Sequence, residues 1–464
     1  MQNNKTWILL GFMIVVLAGG GFVFSKWSFT PVLETQEKTL KRREHRHIKT
    51  PLRLGYGWST HPNVGKAVGE SVKMLLKTVA KPRFVLVFFT DPYNPQKLRD
   101  SILSKLGKVK LLGLQSANGV FTPKGLHSSP NGALAILGFQ GKGLSVGVAG
   151  ADVNETSVHA EVARKVIDSA LKDGGQNPKR RPDGIITGQV LGFSEIYSSV
   201  LNKKLPSIPM VGGNQITNTV KPGAIIVNQK VYKSGFAMAL LYASYPIGTY
   251  FHGGFMGRTK SGVITKVDPK NPYIIIEIDH RPALDVYNGW AKGAFTQYLG
   301  KKKPVIVNNS VTKPLAKALK LADGSLHYLT LHPWKFNPDK SFNGGIRVSK
   351  GERIHYVEGN EKILIKRSGV VARKAMVEGG FPIKLLAGGV HIYCVGAGLK
   401  LGIQAKGLAP KMVNEIKEQT HNAPFIGGFF GGEQGRIKGH GYFAGNLMSA
   451  MMVFSKKSKA KQKK

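Results

Sequence analysis

Two glycine-framed loops carry side chains able to grip a small polar molecule. In Gly431-Gly432-Glu433-Gln434-Gly435-Arg436, a carboxylate, an amide and a guanidinium stand among glycines that let a ligand come close to the backbone. Glu433 suits an ammonium group and Arg436 a carboxylate, a pairing fit for a zwitterion. The alternative is that the glycines serve a tight turn and Glu433 pairs with a neighbouring lysine. Gly212-Gly213-Asn214-Gln215 offers backbone N–H groups and amide side chains in the same manner. Gln115 and Ser116 follow a strand end and can donate or accept hydrogen bonds. Asp279, three residues before Pro282, either caps the next helix or reaches a ligand. The candidate ligand-binding residues are thus Gln115, Ser116, Gly212, Gly213, Asn214, Asp279, Glu433 and Arg436.

Catalysis finds less support. The chain has no G-x-S-x-G elbow, no phosphate-binding G-x-x-x-x-G-K-[ST] loop and no H-E-x-x-H pair. Gly396 to Gly402 approaches a dinucleotide fingerprint with the wrong spacing. The thirteen histidines show no metal-binding pattern. Cys394 is the single cysteine, which excludes an internal disulfide, and its apolar surroundings suggest a buried thiol. The expectation is a binding protein and not an enzyme, with no cofactor and no metal.

These loops need a scaffold, and the same unit appears three times. Phe84 to Phe89 reads as a buried strand, Gln96 to Leu106 as a helix, and Lys110 to Gly113 as a second strand ending in glycine. The second copy runs through Gly184 to Thr187, Ser194 to Asn202 and Ile208 to Gly213. The third runs through His391 to Val395, Pro410 to Gln419 and Ala423 to Gly428. Strand-helix-strand units make parallel pairs whose carboxyl ends hold ligands in α/β proteins. Between copies two and three, Tyr273 to Ile278 and Ile363 to Ile365 read as strands and Pro282 to Tyr298 as a helix. A second domain is expected to begin near Asp279. The fold class is α/β, with mixed sheets built from repeated β-α-β units in two related halves, plus one N-terminal transmembrane helix.

That helix is read from Thr6 to Ser25, twenty residues without a charge, long enough to cross a bilayer core. Residues 1–27 are the expected anchor and 28–54 a basic juxtamembrane linker. Lys26, Lys38, Lys41, Arg42, Arg43 and Arg46 follow the span while Lys5 alone precedes it, which places the body in the cytoplasm. A cleaved signal peptide, leaving an exported body, is the alternative. The chain of 464 residues carries 67 Lys and Arg against 26 Asp and Glu, a formal +41. That excess predicts attraction to an anionic membrane surface, with nucleic acid the less favoured partner. Hydrophobic residues at 42% exclude a wholly disordered chain, though residues 455–464 read as a basic disordered tail.

The units in this order resemble the FIST family, over roughly Gly55 to Val453. The likeness rests on Gly57-Trp58-Ser59, on Leu86 to Phe89 before Asp91-Pro92-Tyr93, and on Leu112 to Ser116. It continues through Pro209 to Gly213, through Asp279 to Tyr287, on Tyr393 to Gly396, and on Pro424 to Gly435. It implies an N-terminal domain at 55–280 and a C-terminal domain at 281–454. It also implies a sensory module of signal transduction that binds a small molecule, amino acids among the candidates. FIST modules often adjoin kinase, cyclase or chemotaxis output domains. This chain has none, so its output passes to a separate partner protein. Ala397 stands where the family often has arginine, and Gly445-Asn446 where it has His-Asn. Those departures imply altered ligand contacts. A basic scaffold for anionic lipid or nucleic acid is the competing reading.

Overall fold

Three stretches of chain repeat one order of elements: strand, helix, strand, helix, strand, a short hairpin and a closing strand. In the computed structural model the described residues are 51–154, 157–176, 180–403 and 407–458. Repeat one comprises β1 (Arg53–Ser59), α1 (Val64–Leu76), β2 (Phe84–Phe89), α2 (Pro95–Leu106), β3 (Lys110–Gln115), the hairpin β4 (Val120–Thr122) and β5 (Gly125–His127), and β6 (Leu134–Gln140). Repeat two comprises β7 (Leu144–Asp152), α3 (His159–Asp173), β8 (Gly184–Gln189), α4 (Ser194–Lys204), β9 (Met210–Asn214), the hairpin β10 (Ile225–Val227) and β11 (Lys230–Tyr232), and β12 (Gly235–Ala243).

Repeat three opens with β13 (Ile247–His252) and is then interrupted. The insertion holds β14 (Met256–Val267), β15 (Ile274–Ile278), β16 (Arg281–Pro282), α5 (Ala283–Trp290), β17 (Val305–Ile306), β18 (Leu315–Lys320), β19 (Leu326–Leu331), β20 (Lys335–Phe336), β21 (Phe342–Asn343) and β22 (Arg353–Glu358). The repeat resumes with α6 (Glu361–Gly379), β23 (Leu386–Cys394), α7 (Val395–Lys400), α8 (Ala409–Thr420), β24 (Phe425–Phe430), the hairpin β25 (Glu433–Ile437) and β26 (Gly441–Gly445), and β27 (Ser449–Ser455).

Each repeat builds a four-stranded core, β1-β6-β2-β3, β7-β12-β8-β9 and β13-β27-β23-β24, in which only the last pair is parallel. Each core is completed by a hairpin from another repeat. Repeat two lends β10–β11 to β3, repeat three lends β25–β26 to β9, and repeat one lends β4–β5 to β24. The exchange is cyclic, so no repeat has a complete sheet alone. The insertion forms a fourth, nine-stranded sheet.

The sequence dictates this equivalence locally. A Cβ on Gly57 of β1 would lie 1.9 Å from the Ser71 carbonyl oxygen of α1. Gly147 of β7 and Gly248 of β13 stand in the same relation to Ala170 and Ala375, each at 2.0 Å. Three first strands thus accept a helix backbone at a distance only glycine permits. The Phe84–Phe89 run is buried at every position, as a strand covered on both faces requires.

Several expectations need correction. Ile363 to Ile365 lie in α6, not in a strand. Asn360 caps that helix by accepting from Ile363 N at 3.0 Å, and buried Leu364, Ser368, Val371 and Ala375 form its inward face. Pro282 to Tyr298 holds only the eight-residue α5 and a 3-10 turn at Thr296–Tyr298. The end of the expected linker belongs to the body: Leu52 and Leu54 are buried and Arg53 starts β1. Ser455 to Ser458, expected as tail, also packs on it, since Leu52 N donates to Lys456 O and Lys456 N to Leu385 O. The division expected at residues 280/281 is not among these corrections; it falls in the turn between β15 and β16, which pair Ile278 with Arg281. Among the described residues no helix is long and apolar enough to span a membrane. The Thr6–Ser25 segment and residues 459–464 lie outside the described residues.

Candidate functional site

The three exchanged hairpins lie on equivalent places, so the chemistry of each seam can be compared position by position. The middle glycine of each receiving strand, Gly113, Gly212 or Gly427, faces one residue of the incoming hairpin: Ile226, Gln434 or Phe121. Across the parallel partner strand the matching residues are Val87, Thr187 and His391. Two seams therefore receive Ile226 and Phe121, both apolar. The third is polar, with Thr187, Gly212 and Gln434 in one row.

That polar row extends along the carboxyl ends of β8 and β9. Gln189 pairs in register with Asn214, where repeat one has Phe89 with Gln115 and repeat three has Tyr393 with Phe429. Gln434 Nε2 donates to Asn214 Oδ1 at 2.9 Å, and Ser194 Oγ, on the first residue of α4, donates to the same oxygen at 2.9 Å. Asn214 Nδ2 donates to Gly431 O at 3.2 Å. Thr187, Gln189, Ser194, Asn214 and Gln434 are all at most 5% exposed. Yet Thr187 Oγ1, Gln189 Nε2 and Gln434 Oε1 have no hydrogen-bond partner. Buried polar atoms are normally paired, because an unpaired one costs about 1–3 kcal/mol. The Thr187 hydroxyl can donate or accept, Gln189 Nε2 can donate and Gln434 Oε1 can accept, a set able to meet a carboxylate, an amide or a water near a helix start that has no side-chain cap.

On the opposite face of β25, Glu433 is fully buried. It accepts from Met448 N at 2.8 Å and Gly432 N at 3.2 Å, and burial raises its carboxyl above the ordinary range. Burial likewise pushes the Cys394 thiol up, with the Glu433 charge adding to it. Arg367 of α6, 3% exposed, supplies the cation of this region. Its Nη1 donates to Gly253 O at 2.8 Å and to Leu447 O, and its guanidinium lies 4.6 Å from the Tyr393 ring centroid. Nε and Nη2 have no partner.

The sequence-derived residues fall into three groups. Gly212, Gly213, Asn214 and Glu433 come together at the seam of β9 and β25, Gly213 pairing with Glu433. Gln115 and Ser116 sit at the other two seams in saturated structural roles. Gln115 Oε1 accepts from Ala224 N at 2.7 Å and its Nε2 donates to Asp91. Ser116 Oγ accepts from Phe429 N at 2.8 Å and donates to Gly119 O at 2.6 Å. Arg436 and Asp279 stand elsewhere. Arg436 points to the face opposite Glu433 and pairs with Glu378 of α6 at 3.0 Å, so the two are not poised on one zwitterion. Asp279 is exposed in the fourth sheet, with φ +50°, and its Oδ1 accepts from Val263 N at 2.8 Å. It does not cap α5, whose N-cap is Pro282.

Sequence reading passes over Thr187, Gln189, Ser194 and Arg367, and names Gln434 only as the amide of its loop. A signal existed for two of them: Thr187 and Gln189 interrupt a strand whose counterpart, Phe84–Phe89, is apolar throughout. Arg367 gave none, since it sits among Lys362, Lys366 and Arg373 as if on a solvated face.

Comparison with curated proteins returns no match. Among solved structures, PurLQS from Thermotoga maritima aligns at 10% identity over 91% of this chain and 77% of that one, with a TM-score of 0.22. T. maritima PurL complexed with ATP aligns at 10% identity over 92% and 77%, with a TM-score of 0.20. Likenesses this slight bear on neither fold nor function. Family comparison is decisive, with the FIST N domain matching residues 83–281 and the FIST C domain residues 283–436. The chain belongs to the FIST family of sensory domains.

Proposed function

We propose that this protein binds a small polar molecule at the seam of β8, β9 and β25, an amino acid being the favoured class, and passes the signal to a separate partner. The carrying observation is the row Thr187, Gln189 and Gln434, three buried side chains each with an unpaired polar atom, at the carboxyl ends of parallel strands and beside the first turn of α4. A ligand carboxylate there would meet Gln189 Nε2 and the positive end of the helix, and a ligand N–H would meet Gln434 Oε1 and Thr187 Oγ1. Binding replaces catalysis in this reading, and neither metal nor cofactor is invoked. The uncharged Thr6–Ser25 segment and the cations after it support a single-pass tether with a cytoplasmic body.

The test is a thermal-shift screen of the full chain against amino acids and related metabolites, since a ligand that binds the native state raises its apparent stability. A specific shift that Gln434→Leu abolishes supports the reading. The net charge of +41 favours a second reading, a basic scaffold for anionic lipid or nucleic acid. Shifts produced only by anionic vesicles or DNA would establish that one instead.

A further inference from the structure

We infer a second, separate site on this protein, a cleft for a compact phosphorylated ligand between α3, α4 and the inserted sheet. The cleft has a volume of about 400 Å³, and its walls bear Arg164 of α3, Lys203 and Lys204 of α4, and Arg347 from the loop before β22. Three structural elements thus bring four cations to one concavity. Lys204 is already engaged, its Nζ lying 2.6 Å from Asp168. The side chains of Arg164, Lys203 and Arg347 have no acid or hydrogen-bond acceptor among the described residues, although all three are exposed and free to turn inward.

The wall's single acid, Glu195, offsets at most one of these three cations. Glu195 Oε1 accepts from Arg347 N at 2.9 Å and Oε2 from Tyr273 O–H at 3.3 Å, which ties the carboxylate to the inserted sheet. Two guanidiniums and an ammonium over a small concave volume match a phosphomonoester or diphosphate, whose oxygens accept bidentate bonds from arginine. A long polyanion would track an extended basic groove, while these cations line one small cleft. The site depends on the inserted sheet, since Arg347 is its contribution.

Isothermal titration of the full chain with inorganic pyrophosphate at physiological ionic strength tests this. Wild type should bind, and Arg164→Gln with Lys203→Gln should weaken binding about tenfold or more, as should Arg347→Gln, each having lost a charge-assisted contact. Lys73→Gln on α1, the same kind of charge loss at a distant exposed position, should leave the affinity unchanged. Vesicles with and without a phosphoinositide identify the source: binding with the same variant dependence assigns a lipid headgroup, and pyrophosphate binding alone assigns a soluble phosphate compound. An affinity that falls equally in the Lys73 variant overturns the site. So does the absence of pyrophosphate binding together with DNA binding indifferent to Arg164 and Arg347. The variants alter exposed side chains, and unchanged melting temperatures separate a lost site from a lost fold.

Discussion

The seam that joins β3 to the hairpin β10–β11 and the seam that joins β9 to β25–β26 share one topology and have opposite chemistry. In the first, Ile226 covers Gly113 beside Val87, and the buried amide at the end of that strand, Gln115, is fully engaged by Asp91 and Ala224. In the second, Gln434 covers Gly212 beside Thr187, and three buried polar atoms stay unpaired. An apolar closure satisfies the fold, as the first seam proves. The polar closure is thus not demanded by the architecture, which is why it marks the site.

The comparison is broken most severely by cutting the saturated seam. Gln115→Leu removes the partner of Ala224 N and of one Asp91 oxygen, both inside the sheet junction, and should cost about 3 kcal/mol of stability. Urea unfolding followed by circular dichroism measures it. A loss below about 1 kcal/mol would mean that this seam is as tolerant as its polar counterpart.

Gln434→Leu should do the reverse. Asn214 Oδ1 keeps the Ser194 hydroxyl, and the orphaned Oε1 disappears, so stability should change by less than about 1 kcal/mol in either direction while the ligand response is lost. A large stability loss with an intact ligand response would make Gln434 structural.

The third seam sharpens the contrast through pH. At the position of Thr187 it has His391, whose Nε2 lies 2.7 Å from Ser449 Oγ and whose pKa burial lowers to about 3. His327 of the inserted sheet is lowered to about 3 and His127 of β5 to about 4, again by burial. A histidine kept neutral in the fold binds fewer protons there than in the unfolded chain, so stability is complete above pH about 6.5 and falls as pH drops toward the folded value. Each such histidine contributes up to about 1.4 kcal/mol per pH unit in that window. His391→Gln should flatten the fall of urea midpoints between pH 7 and pH 5, and an unchanged slope would show that His391 is protonated without penalty.

How far the sequence discloses this arrangement follows from the range of each signal. The three strand-helix-strand cores are legible because Phe84–Phe89, Gly184–Gln189 and the end of Leu386–Cys394 are short runs set beside helices with clear apolar spacing, although Leu386 to Val390 escape that reading and Val395, read as strand, opens α7. The hairpin exchange is not. Val120–Thr122 and Ile225–Val227 are three residues long, and their partners belong to other repeats, so no local pattern encodes the pairing. The inserted sheet hides for the same reason, with several strands of two residues. Asn214 was legible as an amide after glycines at a strand end. Arg367 was not, because burial of a guanidinium against Tyr393 and Phe255 depends on tertiary packing that a charged helical run conceals.

Asp279 gives the smallest effect and the cleanest limit to the site. It and His280 both have positive φ, +50° and +60°, as the two-residue turn between β15 and β16 requires. The aspartate's further task is to accept from Val263 N. Asparagine tolerates this backbone region and offers the same acceptor, so Asp279→Asn should change stability by less than about 0.5 kcal/mol. The ligand response should be unaltered, because Asp279 lies in the inserted sheet while the row of Thr187, Gln189 and Gln434 lies in the sheet of β8, β9 and β25. A lost thermal shift in this variant would extend the site into the inserted sheet and would make the apolar closure of the other two seams irrelevant to where the ligand sits.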